Sequence, residues 1–509
     1  MTVRSGSGLL FAAAVLLGPA AALPAAAGPS SFRLLCGRPP DGHSGGSDGP
    51  AAPLEPLDPA ERTRFEERVR RNVARLRAEG RLEAASAGQP VLFSWPLALA
   101  RGLSDPGYHG VSGFVDHDPS FPDALLDYEC GDRTYDTAGG YNHRGTDYFP
   151  SPHGWYKMEH EHVLVVAAAD GQIVVREDGH EDHNCQGGGT WNAIVLRHAD
   201  GSESWYGHLK KGSLTPKQVG GTVAEGEYLG VIGSSGNSSG PHLHFEVHDS
   251  TGKVVDPYSG PCNNAPSRWQ DQRPYDDSAL NKITTGDAAP EKPPCPGVEN
   301  PHARATFPIP ATIYFTAYYR DQLAGQVSHY TIRRPDGSVF AEWDHSSPAP
   351  HLASSHWTWF WHIGTDEPAG RWRFEVTYLG RTLAREFVRG SPVASGRVPQ
   401  FPVQGALLEV SRAAGGRLRL TWGPSCVASD DDFAVYEGRL GDFQSHRPVL
   451  CSTGGQRSAS ITPALGSTYY LVAPRNAERE GSLGVTGDET PRAEGAGRCL
   501  PRDVIACPY

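Results

Sequence analysis

Three short motifs in the middle of the chain gather residue types that bind metals and move protons. His143 and Asp147 are separated by three residues in Asn142-His143-Arg144-Gly145-Thr146-Asp147. His208 ends Trp205-Tyr206-Gly207-His208. His242 and His244 flank Leu243 in Gly240-Pro241-His242-Leu243-His244-Phe245-Glu246. The last motif opens a predicted strand, so strand alternation sends both histidines to one face and Leu243 to the other. Two imidazoles side by side can serve one metal ion as a ligand and as a proton-transfer group. No motif is specific alone, because a chain with 21 histidines in 509 residues holds a His-x-His pair about once by chance.

Order, spacing and the intervening sequence add specificity. Between the motifs lie Ala168-Ala169-Asp170-Gly171-Gln172-Ile173-Val174, Val195-Leu196-Arg197-His198-Ala199-Asp200-Gly201 and Gly230-Val231-Ile232-Gly233-Ser234-Ser235-Gly236. Over residues 139–250 the chain resembles the lysostaphin/LytM-type zinc metallopeptidases. The resemblance implies His143, Asp147 and His244 as ligands of one Zn2+ and His208 and His242 as catalytic histidines. Two neutral imidazoles and a carboxylate suit zinc and leave a fourth position open for water, whose pKa the metal lowers. A nearby histidine would accept that water's proton and return one to the leaving amine, and a second histidine or Tyr206 would donate to the developing oxyanion. A rival cluster, His180-Glu181-Asp182-His183, departs from the helical metalloprotease motif in spacing and reads as a solvated loop tied down by Cys185.

The elements around the motifs are short β runs punctuated by glycine: 163–168, 172–175, 193–197, 203–206, 228–232 and 243–247. Tight turns between them predict antiparallel pairing. Upstream, Asp58-Pro59 starts a helix whose Phe65, Val69, Val73 and Leu76 share one face, ending near Gly80 or Gly88. That helix is either a pro-region packed on the enzyme or a structural extension. The predicted fold class is mainly β: an antiparallel-sheet metallopeptidase domain, a short helical N-terminal region and two C-terminal β-sandwich-like domains. The boundaries are a signal peptide at 1–27, a flexible Gly/Pro/Ser-rich linker at 28–57, the helical region at 58–91 and the zinc metallopeptidase domain at 92–275. A linker at 276–301, a β-sandwich-like domain at 302–392 and a fibronectin-type III-like β domain at 400–509 complete the chain. Alternating Trp357, Trp359 and Trp361 read as sandwich core, with a wall-binding platform as the sharper alternative.

Arg4, the apolar run from Leu9 to Leu17 and Ala25-Ala26-Ala27 have the layout of a secretory signal, and no later stretch is apolar enough to span a bilayer. The expected location is secreted or periplasmic. Nine cysteines fit an oxidising compartment. Sequence proximity pairs Cys130 with Cys185, Cys262 with Cys295, Cys426 with Cys451 and Cys499 with Cys507. Cys36 is left over as a free or intermolecular thiol, a lipid anchor, or a ligand blocking the open metal position. A net charge of −12 argues against nucleic acid as a partner. The expected function is a monomeric, secreted zinc metalloendopeptidase that hydrolyses peptide bonds in peptidoglycan cross-links or bridges. The alternatives are a peptidase acting on glycine-rich proteins and a non-catalytic wall-binding regulator with structural zinc.

Overall fold

The computed structural model describes residues 31–47, 57–82, 89–100, 103, 105, 107–390, 395–399, 406–427, 429–486 and 491–504. The segment read as a signal peptide lies outside them. Strands hold 41% of the residues and helices 7%, so the chain is mainly β, as its short apolar runs predict.

Strands β1 (Ser31–Gly37) and β2 (Gly42–Ser47) precede helix α1 (Pro59–Ala78). The Asp58 carboxylate caps α1, accepting from the N–H groups of Ala60 at 2.9 Å and Glu61 at 2.8 Å. The buried stripe of α1 is Arg62, Phe65, Val69, Val73 and Leu76. Each apolar member contributes roughly 1.5–3 kcal/mol by leaving water.

The first globular unit contains β3 (Leu97–Leu99), β4 (His109–Gly113), β5 (Gly145–Pro150), helix α2 (Gly154–Glu159), β6 (Val163–Val166) and β7 (Gly171–Glu177). It continues with β8 (Ala193–Arg197), β9 (Glu203–Gly207), β10 (Thr222–Val223), β11 (Tyr228–Val231) and β12 (Leu243–His248). A seven-stranded sheet ordered β10-β7-β8-β9-β12-β5-β4 lies against a three-stranded sheet ordered β11-β6-β3. All pairings are antiparallel. Ile194, Leu196, Tyr206, Leu243, Phe245 and Val247 point into the core between them. The alternate residues Ala193, Val195 and Trp205 point the other way and are covered by α1, whose Phe65 meets Trp191 and Trp205 edge-on at 5.4 and 5.0 Å. The side chains of His244 and Glu246 lie on this second face, since they alternate with Leu243, Phe245 and Val247.

The second unit contains β13 (Ala279–Gly286), β14 (Thr306–Phe307), β15 (Ala311–Leu323), β16 (Val327–Arg333), β17 (Val339–Ser346), β18 (His351–Ile363), β19 (Gly370–Tyr378) and β20 (Arg381–Arg389). Its sheets, β1-β17-β16-β19-β20-β14 and β13-β15-β18-β2, enclose Trp343, Trp357, Trp359, Trp361 and Trp372. The alternating tryptophans are packing residues.

Two expected linkers are partly strands. Within 28–57, β1 pairs with β17 and β2 with β18. Within 276–301, β13 pairs with β15. The glycines that suggested flexibility serve close approach instead: a Cβ at Gly42 would lie 2.6 Å from the Phe360 ring and one at Gly45 2.7 Å from the Trp357 ring. The third unit has two three-stranded sheets, β21-β22-β25 and β24-β23-β26, formed by β21 (Glu409–Arg412), β22 (Leu418–Thr421), β23 (Asp432–Arg439), β24 (Arg447–Leu450), β25 (Ser458–Ile461) and β26 (Thr468–Arg475).

Among the described residues the disulfides are Cys130–Cys262, Cys185–Cys295 and Cys451–Cys499. All four pairings expected from proximity are therefore corrected, because the fold brings together loops distant in sequence. The Cys130 loop meets the 256–263 loop, where the Cys262 N–H donates to the Tyr128 carbonyl at 2.9 Å. Cys185–Cys295 fastens the first unit to the β13–β14 connection. Cys36 carries a free, exposed thiol on β1, in register with Glu342 of β17, and the β1 ladder keeps it in the second unit rather than beside the histidine motifs.

Candidate metal centre

Strand register assembles the centre. On β12, His244 stands opposite Asp147 of β5 and opposite Gly207 of β9. His242 enters β12 two residues earlier on the same face. His208 follows β9 in a left-handed turn with φ of 62°. Gly207 cannot be replaced cheaply, since a Cβ there would lie 2.2 Å from the Trp191 ring, which itself packs against His208 and His244. His143 sits just before β5, its ring stacked on Tyr135 at 4.3 Å. All five residues predicted from the sequence meet here.

The ring contacts are those of a metal-binding arrangement of tautomers. His143 Nδ1 lies 2.6 Å from the Phe114 carbonyl, which can only accept, so Nδ1 holds the hydrogen and Nε2 a lone pair. His244 Nε2 lies 3.1 Å from Glu246 Oε2, which leaves the Nδ1 lone pair free. His143 Nε2 and His244 Nδ1 face each other at 3.3 Å, and they lie 3.3 and 2.9 Å from Asp147 Oδ1. Three electron-pair donors thus converge on one point, an arrangement that a cation satisfies and a protein hydrogen does not. The donor set of two imidazoles and a carboxylate fits zinc.

Two more lone pairs border that point. His208 Nδ1 donates to the Ser235 carbonyl at 2.6 Å, and His208 Nε2 is buried with no partner among the described residues. His242 Nδ1 donates to the Gly240 carbonyl at 2.8 Å, and its Nε2 lies 3.9 Å from Asp147 Oδ1. Their rings are 4.3 Å apart. His208 is fully buried, whereas the His242 side chain keeps 14% of its surface exposed.

Electrostatics suit a cation at the centre. Burial alone would push the Asp147 carboxyl up, but the His143 and His242 rings beside it and its close polar contacts with His143 and His244 hold it well below the usual carboxylate range. Burial opposes charge on His244, yet Asp147 and Glu246 raise it above the usual imidazole value. Burial drives His208 well below that value, helped by His242 and His244. Burial also lowers His242, against the pull of Asp147. The two bordering imidazoles are therefore held neutral.

Tyr206 is not at the centre: its side chain points into the core, where its hydroxyl accepts from the Ala168 N–H at 2.8 Å. The rival cluster is a loop, with His183 between Asp182 at 2.9 Å and Glu159 at 2.7 Å. Two participants have no role assigned from the sequence, Glu246 and Arg62. A signal for Arg62 exists: it continues the apolar stripe of α1, three residues before Phe65, where a charge is out of place.

Residues 142–257 match the sequence profile described as Peptidase family M23. The chain is 38% identical over 117 residues to the DD-carboxypeptidase/endopeptidase Mpg of Neisseria meningitidis, covering 23% of this chain and 22% of that protein. It is 38% identical over 108 residues to the glycyl-glycine endopeptidase ALE-1 of Staphylococcus capitis, covering 21% of this chain and 25% of that protein. A solved structure, the catalytic domain of lysostaphin from Staphylococcus simulans, aligns at 28% identity with a TM-score of 0.19, covering 30% of this chain and 89% of that one. The chain thus spans between about a fifth and a quarter of the curated relatives' length. The residues converging on one point beneath α1 all fall within the matched segment, and the chain carries a domain of peptidase family M23.

Proposed function

We propose that the protein is a secreted zinc metalloendopeptidase that hydrolyses peptide bonds in peptidoglycan cross-links or bridges. The observation that carries this reading is the convergence of His143 Nε2, Asp147 Oδ1 and His244 Nδ1, bordered by the unpartnered Nε2 of His208 and by His242 Nε2, 3.9 Å from Asp147 Oδ1. Zinc held by those three atoms would supply Lewis acidity toward a peptide carbonyl and make water more acidic at neutral pH. Water approaching the centre meets two acceptors at once, so both of its hydrogens are directed before either is removed. His242, with an exposed edge, takes the proton and returns it to the leaving amine. His208, buried and neutral, orients the second hydrogen through Nε2. Asp147 balances the charge that His242 gains.

The substrate class rests on the relatives, whose names include a DD-carboxypeptidase/endopeptidase and a glycyl-glycine endopeptidase. Export is supported by three disulfides among the described residues, which persist in oxidising compartments. The test is digestion of peptidoglycan from several bacteria, with and without chelator, followed by mass spectrometry of the products. Chelator-sensitive appearance of new peptide amino termini is expected. Intact cross-links and bridges in every sample would refute the reading.

A further inference from the structure

Glu246 is fully buried two residues beyond His244 on β12, and its carboxylate is held at four points. Oε2 accepts from His244 Nε2 at 3.1 Å and Arg62 Nη2 at 3.0 Å. Oε1 accepts from His248 Nε2 at 2.7 Å and Arg62 Nη1 at 2.9 Å. Arg62 belongs to α1, outside the segment that matches the family. Its side chain is 6% exposed, with the guanidinium 5.8 Å from the Tyr141 ring centroid and 6.0 Å from that of Trp205.

The two parallel Arg62–Glu246 bonds form a fork, which fixes the plane of a carboxylate as well as its position. That plane decides whether Oε2 points at His244 Nε2. A hydrogen on Nε2 in turn leaves the lone pair on Nδ1, the atom aimed at Asp147 and His143. The helix holds the arginine in place from both sides: Asp58 caps the turn that carries it, and Phe65, one turn later, sits against Trp191 and Trp205. Neighbouring contacts seat the same end of the helix, since Glu61 accepts from Thr190 Oγ1 at 3.1 Å.

We infer that Arg62 is a positioning residue for the metal centre, acting through Glu246 to fix the ring orientation and tautomer of His244. Helix α1 is then a working part of the site and not a removable cover. This inference rests on the metal-site reading above and deepens it.

The test is zinc affinity, measured by chelator competition on the full chain, with the melting temperature and far-ultraviolet circular dichroism of the zinc-free protein as controls for folding. Removing a partner that orients a metal-binding histidine weakens metal affinity by about 10–100-fold. Arg62→Gln should fall in that range, as should Glu246→Gln. In a Glu246→Gln background, adding Arg62→Gln should cost less than about 3-fold further, because the two act along one path. If Arg62→Gln does not fold, Arg62→Lys keeps the charge and loses the fork, and should bind zinc several-fold more weakly.

Wild-type zinc affinity in the folded arginine variant would overturn the inference, and so would a full additional loss in the Glu246→Gln background. Faster peptide hydrolysis by Arg62→Gln with unchanged zinc affinity would make α1 a cover and also overturn it. Failure of the wild-type protein itself to bind zinc would refute the metal site, a separate result.

Discussion

His143 Nε2 and His244 Nδ1 point at each other across 3.3 Å, each with its other ring nitrogen committed to an oxygen acceptor. Two imidazoles so restrained present lone pairs to one another, and Asp147 Oδ1 adds negative charge at 2.9 Å from one of them. About one zinc per chain is expected in the purified protein. His143→Ala, Asp147→Ala and His244→Ala should each lose most of it, as measured by inductively coupled plasma mass spectrometry. Full zinc content in all three variants would remove the basis of the assignment.

His208 and His242 border the same point without belonging to the three-atom set. Alanine at either position should leave zinc content and melting temperature near wild type while lowering turnover by ~10²-fold or more, the scale of lost acid–base catalysis. A variant that cleaves at the wild-type rate would show that its histidine has no part in proton transfer.

Residues 31–47 supply a strand to each sheet of the second unit, including glycines pressed onto the rings of Trp357 and Phe360. Deleting them would expose those rings and two strand edges. A fall in that unit's melting temperature of ~10 °C or more is expected, since each kcal/mol is worth about 4 °C in a domain between the small and mid-sized classes. An unchanged transition would mean that the segment is the flexible connector its composition suggests.

His345 gives the second unit a pH dependence. It is 2% exposed, and neither ring nitrogen has a partner among the described residues. Burial, with His43 nearby, pushes it down to about 4. The unfolded imidazole titrates near ~6.5, so between these values the unfolded chain binds more protons and stability falls as pH falls. The loss grows from about pH 6.5 downward and reaches roughly 3 kcal/mol by the folded value. Denaturant unfolding at pH 7 and pH 4.5 should show a larger drop for wild type than for His345→Leu, and equal drops would contradict this account.

Much of this was legible in the sequence because it depends on local pattern. Alternation through Leu243, Phe245 and Val247 placed His242 and His244 on one face, and the Asp58-Pro59 start and 3–4-residue spacing located α1. Pairings between distant segments were not legible. The disulfides follow loop proximity created by the fold, and β1 and the glycine-rich β2 are short strands held by longer partners. Tyr206 was misread because a position beside Gly207 and His208 in sequence lies on the opposite face of β9. Arg62 shows a related limit: a charge on an apolar helical stripe is a visible signal, but the buried partner it implies lies 184 residues away and is not legible in the sequence.

The proposed hydrolysis depends on His143, Asp147 and His244 together holding one zinc ion. Anomalous diffraction at the zinc absorption edge, from crystals of the full chain grown with zinc, tests it most directly. One dominant peak is expected about 2.0–2.2 Å from His143 Nε2, Asp147 Oδ1 and His244 Nδ1. A dominant peak at Glu181, Asp182 and His183, or none within reach of His244 Nδ1, would contradict it.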